Sequence, residues 1–240
     1  MHIPDGYLSP QTSGVLLAAM TPIWIKASQK VKKTLKAKQV PLLAIGAAFA
    51  FTIMMFNVPL PGGTTGHAVG GTLVAIVLGP WAATIAVTIA LVVQAIFFGD
   101  GGILAIGANC FNMAFVLPFV GYYVYRAISS RVKDNSRLQV LAAAIGSYVG
   151  INVAALAAAI EFGVQPSLFH TASGAALYAP YPLSIAIPAM VIPHLLVAGV
   201  VEAIATAGVV AYLQRSDESL LNAEQIKAKS NGSPELIAQP

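Results

Sequence analysis

The chain has 240 residues, 57% of them apolar and only 9% charged, with a mean hydropathy of +0.77. Soluble domains carry about 25% charged residues, so this composition excludes a soluble enzyme, a disordered chain and a disulfide scaffold. It leaves an all-α polytopic membrane protein, in which a net charge of +4 marks orientation in the bilayer rather than nucleic-acid binding.

The opening, MHIPDGYLSP, lacks the basic start and apolar core of a cleaved signal peptide. The mature protein is therefore expected to begin at Met1, retained because His2 is bulky, with a free α-amine beside an imidazole. Apolar runs bounded by turn signals then predict helices at 13–27, 39–57, 66–78, 80–98, 103–127, 137–163 and 184–213. Residues 66–98 read as one apolar run of 33 residues, about 50 Å as a single helix and too long for one crossing. Gly79-Pro80 is the natural break, since proline lacks a helix donor and suits a first turn.

The basic residues test that break. Lys26, Lys30, Lys32, Lys33, Lys36 and Lys38 lie between the first two helices. Arg126, Arg131, Lys133 and Arg137 lie between the fifth and sixth, and Arg215, Lys227 and Lys229 follow the seventh. All 13 fall on one side only if 66–98 is two helices, as the positive-inside rule requires. The expected architecture is a seven-helix bundle with its N-terminus outside and C-terminus cytoplasmic. The third helix, short at 13 residues, would lie partly within the protein. Residues 1–213 form one transmembrane domain, and 214–240 form a polar cytoplasmic tail.

In this orientation the polar side chains Asn57, His67, Gln94, Asp100, Asn109, Asn112, Glu161 and His170 gather in the outer third. Polar groups in a bilayer are costly without partners, so the clustering points to an extracytoplasmic binding site. Met1, His2 and His67 form its sharpest constellation. An α-amine, the deprotonated amide of the second residue and that residue's imidazole close two fused chelate rings with three coplanar nitrogens. A fourth imidazole completes a square plane, the geometry of Ni(II) or Cu(II) rather than Zn(II). The glycine-rich loop LPGGTTGHAVGG offers His67 where chain can approach closely, with Thr64, Thr65, Gln94 and Asn109 as candidate outer partners. The plainer reading is an accidental Met-His terminus and a solvated loop histidine.

His170, in SLFHTASG, reads as a transit ligand or, more simply, a loop histidine paired with a hydroxyl. His194 and Glu202 share a helix face and read as structural partners of neighbouring helices. Enzyme chemistry lacks its parts: there is no HExxH, GxSxG or GxxxxGK[ST] in the chain. Active transport would therefore draw on an ion gradient or a separate ATPase.

Four segments carry a family resemblance: MHIPDGYLSP, PGGTTGHAVGGTLVAIVLGPW, QAIFFGDGGILAIGANCFNMA and HLLVAGVVEAIATAGVVAYL. In this order, from Met1 to about Leu213, they resemble the NikM/CbiM family, the substrate-binding (S) components of energy-coupling-factor transporters for nickel and cobalt. The resemblance implies an S-component fold with an extra N-terminal helix, and a metal held by the positions matching Met1, His2 and His67. Cobalt members carry a Ser-Cys-Ser-His type of loop; Thr-Thr-Gly-His here implies Ni(II) as transported substrate, with Co(II) the alternative and no organic cofactor. It also implies a transmembrane coupling (T) protein, two cytoplasmic ATPases, a possible small separate membrane subunit, and a place in the prokaryotic inner membrane. A solitary ion-coupled metal transporter is the rival from another class.

Overall fold

The computed structural model describes residues 1–35, 37–60, 64–132, 135–217 and 220–221. An extended segment, residues 1–9, precedes helix α1 (Pro10–Thr34), whose first turn is closed by Ser9 accepting from the Thr12 amide. Helix α2 (Val40–Met54) follows. The chain then makes an antiparallel hairpin of β1 (Val58–Leu60) and β2 (Thr64–Gly66), with Val58 opposite Gly66. Helix α3 (Gly71–Leu78) is only 8 residues long, and α4 (Pro80–Phe98) begins at once after it. Helix α5 covers 106–129 and α6 is Ser136–Leu168. Helix α7, Leu183–Ser216, completes the bundle.

The break at Gly79-Pro80 is where the sequence places it: Gly79 has φ +89 and ends α3, and Pro80 starts α4. Several expected boundaries differ, among them the second helix, which ends at Met54 rather than 57 because residues 58–60 form a strand. The first helix runs well past 13–27 in both directions. The helix expected over 66–78 begins only at Gly71, because residues 64–66 pair as a strand and Gly70 is left-handed at φ +73. The last helix reaches Ser216, three residues beyond the expected boundary at 213. Of the expected tail, 222–240 lie outside the described residues, as do Lys36 and Lys133.

Small residues set the closest helix contacts. A Cβ on Gly146 would sit 2.6 Å from the Gly121 carbonyl, and one on Gly150 would sit 2.7 Å from that of Leu117, so α5 and α6 touch backbone to backbone. A Cβ on Gly121 would collide with Thr72 of α3. The outward faces are apolar: Leu141, Ile145, Leu156, Ile192, Leu196 and Ile204 are exposed. Three helices are long and apolar enough to cross a membrane, Pro80–Phe98, Ser136–Leu168 and Leu183–Ser216. Basic side chains converge near the α3–α4 turn. Lys26 Nζ lies 5.0 Å over the Trp81 ring, and Trp81 shares a surface hollow with Tyr122 and Arg126.

Three helices widen into π turns, at Gln94–Phe98, Cys110–Val116 and His194–Ala198. Such turns often mark functional sites. Here each lies at or beside a polar residue (Gln94, Asn109, His194), and two of these three bond directly to the N-terminal segment.

Candidate metal centre

The first nine residues are held by hydrogen bonds from almost every part of the bundle. Asn109 grips Ile3 twice: its Oδ1 accepts from the Ile3 amide at 2.8 Å and its Nδ2 donates to the Ile3 carbonyl at 3.0 Å. The Gly102 amide donates to the same carbonyl at 2.8 Å. The Asp5 carboxylate accepts from the amides of Ile103 and Leu104, at 3.1 and 2.9 Å. Gln165 Oε1 accepts from the Ser9 amide at 3.0 Å, while its Nε2 donates to the Glu161 carbonyl at 2.9 Å. Glu161 in turn accepts from Asn112 at 2.8 Å. Met1, Ile3 and Leu8 are buried as anchors, and burying such side chains contributes about 1.5–3 kcal/mol each.

That anchoring carries the terminal amine inside, where it donates to the Thr65 carbonyl at 2.6 Å. His2 and His67 face each other there, with ring centroids 4.6 Å apart and planes 26° from parallel. His2 Nε2 lies 3.2 Å from Gln94 Oε1. A proton on that nitrogen leaves Nδ1 as a lone pair; Nδ1 is 3.3 Å from Asp100 but has no hydrogen-bond partner among the described residues. His67 shows the same pattern with the nitrogens exchanged. Its Nδ1 is 3.1 Å from the Ala68 carbonyl, and its Nε2 is buried without a partner among the described residues. Orphaned buried nitrogens are costly, and two of them on stacked imidazoles beside the amine are candidate donors for a cation. Two imidazoles bound at right angles to one ion, each nitrogen about 2 Å from it, place their ring centres about 4–5 Å apart. Among the described residues no three His, Cys, Asp or Glu side chains gather as a ligand set, so a metal held by these imidazoles would need a donor of another kind, and the amine is at hand.

The electrostatics favour neutral donors. Burial lowers the Met1 amine from 8.0 to about 5, with Asp100 opposing the shift. Burial, and then the amine's charge, lower His2 from 6.5 to about 3, opposed by the bond to Gln94. Burial, followed by the charges of the amine and of His2, also holds His67 well below its ordinary value. Asp100 shifts upward, mainly by burial, with the amine's charge opposing. The amine and both imidazoles are thus unprotonated at neutral pH, the state that binds metal. Beside them a cavity of about 420 Å³ is lined by His2, Asn57, Thr65, Asp100, Tyr181 and Met190.

The structure brings Met1, His2 and His67 together with Gln94. Thr65 takes part through its carbonyl rather than its hydroxyl. Asn109 acts one residue away, on Ile3, and does not touch the donor nitrogens. The side chain of Thr64 lies outside the described residues. His170 is exposed, and its Nδ1 lies 3.3 Å from the Thr171 carbonyl rather than a hydroxyl. One group goes beyond the sequence reading. Glu202 of α7 is fully buried and accepts from the Val69 amide at 2.7 Å and the Gly70 amide at 3.0 Å, fixing the loop just behind His67. A Cβ on Gly70 would collide with Phe49, so glycine fits this bend twice over, by φ and by space. Asp100, one of the polar residues the sequence gathers in the outer third, also enters the site, 3.3 Å from His2 Nδ1.

A family model described as the cobalt uptake substrate-specific transmembrane region, CbiM, matches residues 2–220. The chain belongs to the CbiM family. It is 57% identical over 92% of its length to the fused nickel transport protein NikMN of Rhodobacter capsulatus, and spans 64% of that protein. It spans 65% of the probable fused nickel transport protein LarMN of Lactiplantibacillus plantarum, at 56% identity over 90% of its own length. A putative metal transport protein of Methanocaldococcus jannaschii is 50% identical over 94% of this chain and 96% of its own. Among solved structures, a transition metal transporter superposes with a TM-score of 0.87 at 60% identity, covering 97% of this chain and all (100%) of that one. This CbiM-family chain is a multi-pass membrane protein.

Proposed function

We propose that this chain captures Ni(II) on the extracytoplasmic side of the membrane, as the S component of an ATP-driven energy-coupling-factor transporter. Four nitrogens hold the ion in a square plane: the Met1 amine, the deprotonated His2 amide, His2 Nδ1 and His67 Nε2. The observation that carries this reading is the buried meeting of the amine with two stacked imidazoles, each with one nitrogen that has no partner among the described residues. The high nickel-type identity of the first relatives supports the metal, and Co(II) is the alternative substrate. The bundle crosses seven times, with the three basic segments on the cytoplasmic side and the site opening outward. ATP hydrolysis belongs to two cytoplasmic partner subunits, coupled through a transmembrane protein, with a small separate membrane subunit as a further partner.

Capture follows from the geometry. The ion enters through the cavity beside His2, meets neutral donors, and displaces one proton from the His2 amide. The donors are held by the protein around them: the Thr65 carbonyl at the amine, Gln94 behind His2, and the Ala68 carbonyl and Glu202 behind the His67 loop, while Asn109 fixes the neighbouring Ile3. The purified protein should bind Ni(II) in equilibrium dialysis, whereas His67→Ala, or acetylation of the Met1 amine, should abolish tight binding. Undiminished binding by the N-acetylated protein would end this reading.

A further inference from the structure

Helix α7 carries a histidine that the four-nitrogen set does not use. His194 is completely buried. It follows Pro193, in which the missing N–H loosens the helix, and opens the π turn His194–Ala198. Its Nδ1 lies 2.7 Å from the Met190 carbonyl, a bond that fixes the proton on that nitrogen and leaves the lone pair on Nε2. Nε2 is buried with no hydrogen-bond partner among the described residues. This is the arrangement seen at His67: Nδ1 turned to a backbone carbonyl, Nε2 free. A backbone carbonyl behind one nitrogen is also how metal-binding imidazoles are usually oriented.

His194 sits on an element that meets the strand leading into His67. The π turn packs against β2, the strand whose Thr65 carbonyl takes the terminal amine. Met190, one helical turn before His194, lines the same cavity as His2 and Thr65. His194 lies near enough to the amine and to His67 for their charges to act on one another. A purely structural histidine at this depth would be expected to satisfy both nitrogens.

We propose that His194 is the transfer ligand of the site, an imidazole that takes the ion through Nε2 as it leaves the chelate. The proposal rests on the four-nitrogen reading above and adds a step to it. Square-planar d8 ions such as Ni(II) exchange ligands by associative attack: an incoming donor bonds to the ion before an old one departs. A chelate of two fused rings is slow to open unless such a donor is near. His194 supplies it without leaving the pocket. The new bond is Nε2–Ni(II), the bond that breaks first is Ni(II) to the Met1 amine, and the His2 amide regains a proton from water as the ion departs. No electron is transferred.

The test is the rate at which Ni(II)-loaded protein in nanodiscs gives up its ion to an excess of a strong chelator. His194→Gly and His194→Gln should bind Ni(II) with affinity close to that of the unaltered chain. Both should release it about tenfold or more slowly. Free imidazole should restore the rate of the glycine variant and leave the unaltered protein unchanged, a rescue that a structural role would not show. Release at the original rate by both variants, or slow release that imidazole cannot restore, would overturn the proposal. Failure of the unaltered chain to bind Ni(II) would instead strike the four-nitrogen reading beneath it.

Discussion

The α5–α6 seam and the N-terminal pocket lie in one bundle but are built on opposite principles. At the seam, Gly121, Gly146 and Gly150 let backbones meet with no intervening side chain, so its order comes from close packing, which tolerates no added volume. In the pocket, extended chain carries no internal hydrogen-bond ladder. Its order comes from single bonds by Asn109, Gln94, Gln165, Asp5 and Glu202 to backbone or ring nitrogens. The seam is a frame with one arrangement. The pocket is a set of separately adjustable latches, which suits the capture and release of an ion proposed for it.

The comparison breaks most sharply at the seam. Gly146→Val places branched carbon against the Gly121 carbonyl and Tyr125 and should cost at least the 1–3 kcal/mol typical of overpacking. Loss of folded protein, or a large fall in thermal midpoint in detergent, checks this, and a stable Gly146→Val protein would show that the seam can part.

At the latches the expected effects are smaller and fall on affinity rather than folding. Glu202→Ala frees the Val69 and Gly70 amides and should weaken Ni(II) binding roughly 10–100-fold, the usual effect of removing an outer partner of a metal ligand. Glu202→Gln keeps one acceptor oxygen and should fall between. Equal affinities in all three proteins would show that the His67 loop holds itself in place.

The smallest effect sharpens the electrostatic side. The buried amine sits at about 5 and His2 at about 3, so neither holds a proton to lose near neutrality. Ni(II) binding at pH 7 should release about one proton, from the His2 amide, and affinity should rise with pH at about tenfold per unit. An exposed amine of ordinary value 8.0 would add nearly a second proton. Calorimetry in buffers of different ionisation enthalpy distinguishes the two. The same shift works on the metal-free fold: between pH 5 and 8 the unfolded chain binds the proton that the folded amine refuses, so stability falls as pH falls through that window.

Composition and residue type made much of this legible in the sequence. An apolar excess of this size requires a membrane; Gly79-Pro80 had to interrupt a run too long for one crossing; and an amine beside His2, with His67 on a glycine-rich loop, are a donor set by chemistry alone. Those are properties of single residues and of short stretches, which one chain read in order displays. The hairpin at 58–66 escaped because AVGGTLVAIVL is as apolar as a helix start. Just ahead of the helix, whose start is delayed to Gly71, Glu202, more than a hundred residues away, takes the Val69 and Gly70 amides. His194 likewise read as an ordinary buried histidine until the fold set it beside the amine and His67. Which polar groups meet, and which nitrogens are left without partners, is decided by contacts between distant segments, and only the folded bundle brings those segments together.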